Sequence, residues 1–378
     1  MDKKINVAVI ACGSRSRGVV AKLLKDSNGN VNVLTVYDPD RAVAKRALAE
    51  WGSPDTKICR SYKEAINFPG IDWVMVFSPN AYHKEHIMAG FAAGKHVFTE
   101  KPLATKIDDC RKIYEESKKV NVKFATGFVL RYSPIYRKVK ALLSSGEFGY
   151  LIAVDANENI QPHHGAYIMQ NWRRLTKYAG PHILEKCTHD LDLLNWFVDS
   201  LPARVASFGG LDFFIPENQK LMDKYGEKFF CKWDDPHSVA TPFTADKDLK
   251  DNQVAIMEYR NKVRVQFECT MSNELPERRM SFVCSEGNIV VEIYKGTLTC
   301  RKFGDEAATC YDFLGDGHGG GDDYIMKELY ENVMCKNEDP ACSGDEGLHS
   351  AVVALALDKA ANTGRVIDME PIWKSLGR

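Results

Sequence analysis

Short apolar runs alternate with amphipathic segments over the first third of the chain. The runs are typical of buried strands and the longer segments of helices, so their alternation favours a parallel, doubly wound sheet. The predicted strands are 7–10, 31–37, 71–77, 96–98 and 122–126, and the predicted helices are 17–25, 41–51, 84–93 and 108–120.

The rhythm changes after Gly127, where Arg131-Tyr132-Ser133-Pro134 interrupts the pattern. The later strands are longer and alternate apolar with polar residues, which favours a mostly antiparallel sheet with helices on one face. They are 151–158, 205–213, 253–259, 263–270, 279–284, 287–293 and 298–302, with helices predicted at 135–144, 189–198, 322–335 and 347–363. We therefore predict an α/β protein with two domains, 1–127 and 128–378, the second an α+β domain with a large open sheet.

One segment fits neither pattern. Residues 217–251 are rich in lysine and aspartate and keep no apolar period, so we expect an exposed insertion. Whether it covers a site or is a solvated excursion stays open, with the solvated excursion favoured.

Composition narrows the possible partners. With 50 Lys and Arg against 51 Asp and Glu, the net charge of -1 gives no basis for attracting nucleic acid or an anionic membrane, so a small molecule is expected. The 11 cysteines are scattered singly, as in proteins of a reducing cytoplasm. The apolar run after Lys3 and Lys4 is short and leads into a glycine turn, so we expect no export signal, and no run approaches a membrane span.

Three predicted strands end in polar residues that share one edge of the sheet, and the third of these ends is the loop Ser78-Pro79-Asn80-Ala81-Tyr82-His83. The first is followed by a degraded G-x-G-x-x-G, in which Ala11 and Ser16 replace two glycines and Gly13 keeps the position that lets backbone approach a pyrophosphate. Asp38, at the end of the second strand, can accept both ribose hydroxyls of an adenosine, which favours NAD over NADP. Arg41 leaves NADP open, although a place in the first turn of the next helix is the simpler interpretation.

Glu100-Lys101-Pro102 follows another strand of the same sheet, and the proline stiffens the turn that holds the lysine amine. Lys101 can donate a proton or hydrogen bond to a reacting oxygen and stabilise a developing alkoxide. A surface ion pair between Glu100 and Lys101 is the alternative.

Histidine can accept a hydroxyl proton near neutral pH, but His189 taken alone is equally a residue at the start of the helix that follows. A metal site at Glu185, Cys187 and His189, or at His163-His164, is disfavoured because no tight ligand spacing accompanies them, so no metal is predicted. Asp190 and Asp192 are expected to complement the dipole of the helix that follows.

Together these motifs resemble the Gfo/Idh/MocA family of nicotinamide-dependent sugar oxidoreductases over almost the whole chain. The motifs that carry the resemblance are the first-strand turn, Pro79-Asn80 with His83, Glu100-Lys101-Pro102, Gly127 with Arg131, Asn171-Trp172-Arg173, Glu185-x-x-x-His189-Asp190-x-Asp192 and His318-Gly319-Gly320-Gly321-Asp322.

The resemblance implies an N-terminal Rossmann domain and a second domain for substrate and oligomerisation. It also implies that Lys101 and His189 flank the sugar carbon that exchanges hydride with the nicotinamide. Glu185 stands where the family commonly has aspartate, so substrate geometry is expected to differ from that of the inositol enzymes.

Three sets of site residues are thus predicted. The catalytic residues are Lys101, His189 and Glu185. The cofactor-binding residues are Gly13, Ser14, Arg15, Asp38, Ser78, Pro79, Asn80, His83, Glu100, Lys101, Arg131, Trp172 and Arg173. The substrate-binding residues are Lys101, His164, Tyr167, Glu185, His189 and His318.

Three functions compete. The first is a cytoplasmic NAD-dependent dehydrogenase acting on a sugar, cyclitol or glycoside, assembled as a homodimer or homotetramer. The second is an NAD-dependent glycosidase that works by transient oxidation and elimination. The third, a non-catalytic NAD-binding sensor, is disfavoured because it needs neither Lys101 nor His189.

Overall fold

The computed structural model describes residues 4–226, 239 and 241–378. The chain divides into two compact units. The first comprises the chain up to Tyr132 together with Gly321–Leu348, and the second comprises Ser133–Gly320 together with His349–Arg378.

This division differs from the predicted boundary at residue 127. The turn Val129–Tyr132 packs against the helix Gly321–Glu328, and both belong to the first unit. A later segment therefore returns to the first unit, which local sequence patterns do not reveal.

The first unit is built on a six-stranded sheet with the order β3-β2-β1-β4-β5-β6, in which every neighbouring pair is parallel. Its strands are β1 (Ile5–Ile10), β2 (Val31–Tyr37), β3 (Lys57–Ile58), β4 (Trp73–Val76), β5 (His96–Thr99) and β6 (Phe124–Thr126). β4 and most of β5 are buried, as expected for strands covered on both faces.

Helices alternate with these strands, as the sequence predicts. They are Ser14–Asp26, Arg41–Trp51, Tyr62–Ile66, His83–Ala92 and Ile107–Ser117, with 3-10 turns at Asn80–Tyr82 and Val129–Tyr132. The predicted helix 322–335 is an α-helix, Gly321–Glu328, that continues as a π-helix over Leu329–Cys335, and the residues of Gly344–Thr363 are divided between the two units.

The second unit is built on a nine-stranded sheet with the order β14-β13-β12-β11-β7-β10-β9-β8-β15. Only β7 and β10 pair in parallel among its described strands. The strands are β7 (Leu151–Asn159), β8 (Pro202–Gly210), β9 (Asn252–Tyr259), β10 (Arg264–Thr270), β11 (Arg279–Cys284), β12 (Gly287–Glu292), β13 (Thr297–Lys302), β14 (Thr309–Asp312) and β15 (Ile367–Asp368). The predicted α/β class with a large, mostly antiparallel second sheet is confirmed.

Short helices carry much of the polar chemistry of this unit. The helices are Pro134–Ser144, Pro162–Gln170, Thr176–Ala179, His182–Glu185, Thr188–Val198, Lys220–Tyr225 and Glu370–Ser375, with 3-10 turns at Trp172–Arg174 and Pro216–Asn218. None of the helices between 162 and 185 was predicted. Thr176–Ala179 and His182–Glu185 have only four residues each, which is too short to show a helical period.

The segment 217–251 is only partly a solvated excursion. Residues 227–238 and 240 lie outside the described residues. Phe243 and Leu249, however, are buried in one cluster with Phe214 and Met271. The end of the segment thus belongs to the core of the second unit.

Among the described residues, every helix is too short or too polar to cross a lipid bilayer.

Candidate functional site

The turn between β1 and the first helix is open to an anion. The helix Ser14–Asp26 begins directly after Gly13, no side chain caps it, and its first turn contains no acidic residue. A Cβ placed on Gly13 would meet no atom within 4 Å. Because free N–H groups at a helix start favour phosphate, the turn fits the pyrophosphate of a dinucleotide.

Ala11 is the unusual residue of this turn. Its φ of 65° lies in the left-handed region, which costs an L-residue free energy that glycine does not lose. The backbone therefore keeps a glycine-type conformation although the glycine itself is replaced.

Asp38 is held at the end of β2 by two backbone groups. One carboxylate oxygen accepts a hydrogen bond from Cys12 N at 2.8 Å and the other accepts one from Asp40 N, also at 2.8 Å. Burial raises the pKa of Asp38, and the two N–H groups oppose that rise. The structure thus orients the carboxylate, while Arg41 lies exposed at the start of its helix.

Glu100 is a buried hub of the first unit. It is 6% exposed and accepts a hydrogen bond from Arg15 Nε at 2.7 Å, and Lys101 N donates to its other oxygen at 3.2 Å. Arg15 Nη1 also donates to Asp322 Oδ1 at 2.8 Å. The acidic residue of the predicted Glu100-Lys101 pair therefore joins three segments of the unit.

Gly127 gives the Glu100 carboxylate its space. A Cβ at Gly127 would lie 2.9 Å from Glu100 Oε2, closer than real side chains approach. Gly127 N also donates to Thr99 O at 2.8 Å, so the backbone itself is fixed beside β5.

His83 connects the loops that follow β4 and β5. Its Nδ1 lies 2.7 Å from the carbonyl oxygen of Pro102 and its Nε2 lies 2.8 Å from that of Ser78. Lys101, half-buried, precedes Pro102 through a cis peptide bond. The predicted residues Ser78 and His83 thus support the turn that carries Lys101.

The other predicted cofactor-binding residues of this unit include Pro79, Asn80 and Arg131. Pro79 precedes the 3-10 turn, whose first residue, Asn80, is buried. Arg131 Nη1 lies 3.7 Å from Glu346 Oε1. Burial alone would raise the pKa of Glu346, but Arg131 and the N–H of Ser343 lower it.

In the second unit, Arg173 joins three predicted residues. Arg173 Nε donates to Glu185 Oε1 at 2.8 Å and Nη1 donates to Tyr167 Oη at 2.9 Å. Its guanidinium also lies 4.3 Å from the centre of the Trp172 ring. The charge of Glu185 is therefore paired, which fixes the carboxylate in one orientation.

His189 and His318 form a second pair in this unit. Their rings lie 5.8 Å apart in an edge-on arrangement, and His189 is buried on the helix Thr188–Val198. His164 packs edge-on against Tyr167 at 6.2 Å. Burial, and secondarily the charge of Lys186, lower the pKa of His164 to about 3, so it is neutral near pH 7.

Beneath these side chains lies a buried ionic network that the sequence did not predict. Arg278 donates two hydrogen bonds of 2.8 Å to the carboxylate of Asp190 and also contacts Glu158. Lys186 Nζ lies 3.3 Å from Glu158 Oε1, to which Tyr294 Oη donates at 2.9 Å. Asp190 lies in the first helical turn as predicted, but its carboxylate pairs with arginine.

The network includes groups next to two of the predicted substrate-binding residues, His189 and His318. Asp190 is adjacent to His189 in the chain, and Arg278 Nη1 donates to Gly317 O at 3.1 Å beside His318. A charged arginine directly before β11 is a weak signal on its own, because charged residues beside strand ends are usually exposed. Sequence patterns gave no pairing for it.

Comparison with known proteins agrees with this architecture. Residues 5–128 match a model described as an oxidoreductase family with an NAD-binding Rossmann fold, and residues 140–369 match the C-terminal α/β domain of the same family. The chain is 22% identical to the putative oxidoreductase YteT of Bacillus subtilis over 97% of this chain and 98% of that protein.

Two further relatives bear names of substrates. The inositol 2-dehydrogenase of Gluconacetobacter diazotrophicus is 31% identical over 52% of this chain, and the chain spans about half of its length, 55%. The structure of a levoglucosan dehydrogenase in complex with NADH and levoglucosan superposes with a TM-score of 0.82 at 16% identity, covering 97% of this chain and 100% of that one.

The open glycine turn, the oriented Asp38 and the lysine that follows β5 thus lie within residues 5–128, the range that the model of the NAD-binding domain matches. The chain belongs to the Gfo/Idh/MocA family of oxidoreductases with an NAD-binding Rossmann domain.

Proposed function

We propose that this protein is an NAD-dependent dehydrogenase that oxidises a secondary hydroxyl of a sugar or cyclitol, or reduces the matching ketone. The observation that carries the proposal is the placement of Lys101 directly after β5, in the NAD-binding domain, with its turn fixed by His83 and Glu100. Relatives that are named as inositol and levoglucosan dehydrogenases support the substrate class.

The residues of the first unit fit a nicotinamide dinucleotide. Gly13 and the uncapped helix start would hold the pyrophosphate, and Asp38 would accept the ribose hydroxyls. The bound cofactor supplies the acceptor for hydride. Since a carboxylate repels a 2′-phosphate, we expect NAD to be preferred over NADP, and Asp38→Asn should reduce that preference.

A test of this assignment uses a glycine whose replacement leaves the fold intact. Gly13→Ala adds a methyl group to open space and should leave the midpoint of thermal unfolding unchanged. NAD affinity should fall by more than about tenfold, because the methyl group occupies the approach to the pyrophosphate. Isothermal titration with NAD measures this, and unchanged affinity would contradict the assignment.

We assign Lys101 and His189 different roles. Lys101 would donate a hydrogen bond to the substrate oxygen and stabilise the negative charge that develops on it. His189 would accept the hydroxyl proton as hydride leaves. Glu185, held by Arg173, would accept a hydrogen bond from a neighbouring hydroxyl of the substrate and so orient the ring.

Neutral, hydroxyl-rich substrates suit the second unit. The charge of Arg173 is matched by Glu185, and that of Lys186 by Glu158. Trp172 and Tyr167 offer aromatic surface, and both lie against Arg173. His164 and His318 complete the proposed substrate-binding residues.

We also propose that the protein is a cytoplasmic homodimer or homotetramer that uses the outer face of the second sheet. Apolar side chains on that face are exposed, with Phe208 at 72% and Ile256 at 59%. None of the ten described cysteines forms a disulfide, which suits a reducing compartment. Light scattering during size exclusion should give a dimer or tetramer, and Ile256→Asp should shift it towards the monomer.

The decisive functional experiment is a panel of cyclitols, anhydrosugars, free sugars and glycosides with NAD, and of the matching ketones with NADH. Net formation of NADH with at least one member supports a dehydrogenase. A glycoside that releases its aglycone without net NADH would identify the redox-neutral glycosidase instead. Silence with the whole panel, in both directions, would contradict the proposal.

A further inference from the structure

Three metal-binding side chains meet in the interior of the second unit. They are His182, Cys187 and Cys269, and one ligand atom of each lies within 4.8 Å of the others. His182 is 3% exposed and the two cysteines are 0% exposed. None of them belongs to the residues assigned above to cofactor or substrate.

Three separate elements bring these side chains together. His182 begins the helix His182–Glu185, Cys187 directly precedes the helix Thr188–Val198, and Cys269 lies on β10. The spacing along the chain, five residues and then 82, matches no sequence motif of a metal site. This explains why the sequence predicted no metal.

The imidazole of His182 is an independent sign of a missing partner. Among the described residues, neither of its ring nitrogens has a hydrogen-bond partner, although both are buried. A buried polar nitrogen without a partner is costly, so native proteins rarely leave one. A metal ion on one nitrogen would remove part of that cost.

We propose that His182, Cys187 and Cys269 bind one zinc ion. Cysteine sulfur and histidine nitrogen are the ligands that zinc prefers, and soft thiolates disfavour magnesium and calcium. Two thiolates and one divalent cation have no net charge, whereas two thiolates and a monovalent cation would leave one negative charge. A neutral set of groups is less costly to bury.

Binding is balanced by proton release. Burial and the neighbouring thiol raise the pKa of Cys187 well above its usual range, and zinc is bound by thiolates rather than by thiols. Each Zn–S bond forms as an S–H bond breaks, and two protons leave to solvent per zinc bound. The ion would fix the short segment that carries Glu185 and His189, so its role is structural.

Metal analysis of the full chain, purified without an affinity tag, tests the proposal independently of the proposed function. We expect about one zinc per chain, or its uptake by chelator-treated protein with release of two protons. Cobalt substituted for zinc should give the near-ultraviolet absorption of sulfur-to-cobalt charge transfer. These readouts need neither NAD nor a substrate.

Variants locate the ion. Cys187→Ser, Cys269→Ser and His182→Asn should each weaken zinc binding by at least about 100-fold, beyond the loss of an outer-shell partner. Cys110→Ser is the matched control, because Cys110 is equally buried in the first unit. It should keep the zinc of the wild type.

Two outcomes would overturn the proposal. One is a chain that takes up neither zinc nor cobalt while Cys187 and Cys269 remain titratable thiols on denaturation. The other is a disulfide between these cysteines in freshly purified protein. Both outcomes are measured on the wild-type protein, so the proposal can be refuted even if every variant misfolds.

Discussion

The two units handle buried charge in different ways. In the first, Glu100 and Arg15 pair at the edge of the parallel sheet, where Arg15 keeps a third of its side chain exposed. In the second, Arg278, Glu158 and Asp190 lie fully inside the protein, with side chains no more than 1% exposed. Solvent can therefore compensate for a change in the first set but not in the second.

The difference in solvent exposure implies that the charges of the first unit can rearrange, whereas those of the second unit cannot. Partly solvated charges at a strand end can reorganise when an anionic ligand arrives, because water screens them. Fully buried charges are costly to separate, so they hold their neighbours in one arrangement. We infer that the first unit supplies the adaptable cofactor residues and the second a rigid frame for His189 and His318.

The largest expected effect comes from breaking the buried network. Arg278→Met leaves Glu158 and Asp190 without their shared cation and should reduce the free energy of unfolding by about 3–5 kcal/mol. Denaturant titration measures this. Arg111→Met is the control, since it removes an exposed arginine paired with Asp108 and Glu115. Equal effects of the two variants would refute the distinction between buried and exposed charge.

At acid pH the first unit should become less stable, because the unfolded chain binds a proton at His86 more readily than the native state does. Burial lowers the pKa of His86 to about 4, so the native state keeps it neutral while the unfolded chain binds a proton below about pH 6.5. The contribution is present above pH 6.5 and is lost as the pH falls towards 4, by up to about 3 kcal/mol.

A glutamine variant isolates this effect. His86→Gln cannot titrate, so its unfolding free energy should fall less steeply between pH 6.5 and 4 than that of the wild type. His163→Gln, in the second unit, provides a control with a histidine that is half-buried. If His86→Gln kept the full acid dependence, the buried neutral histidine would not be its source.

A smaller loss of stability is expected when the space around the Glu100 carboxylate is reduced. Gly127→Ala places a methyl group 2.9 Å from Glu100 Oε2 and should destabilise the protein by about 1–3 kcal/mol. Shortening the acid in the double variant Gly127→Ala, Glu100→Asp should restore part of the loss. A double variant less stable than the sum of both single variants would contradict this packing account.

The smallest effect concerns Ala11. Ala11→Gly relieves a left-handed conformation but adds freedom to the unfolded chain, so a net gain of about 1 kcal/mol or less is expected. Thermal unfolding measures the shift. A loss of stability would show that the alanine side chain contributes packing that outweighs its backbone cost.

The sequence predicted the first unit better than the second for physical reasons. In a doubly wound sheet, ligand-binding residues usually follow strand ends, so Gly13, Asp38 and Lys101 could be predicted as site residues from their positions alone. The pairing of Arg15 with Asp322, 307 residues later, depends on a segment that returns to the unit. No local pattern reports such a return.

In the second unit, the partners of the predicted site residues depend on tertiary contacts, which the sequence does not show. Glu185, His189 and His318 were predicted from motifs, but the pairing of Arg173 with Glu185 and of Arg278 with Asp190 depends on contacts between separate elements. Phe243 and Leu249 were assigned to an exposed insertion because only tertiary packing makes them core residues. Alternation predicts which face of a strand is apolar, but not which buried charges pair across the sheet.

The central claim is that Lys101 and His189 perform chemistry on a substrate whose hydride NAD accepts. Single-turnover formation of NADH, measured with the substrate found in the panel, tests it most directly. Lys101→Met and His189→Asn should still bind NAD but form NADH at least about 100-fold more slowly. Formation of NADH at the wild-type rate by either variant would contradict the claim.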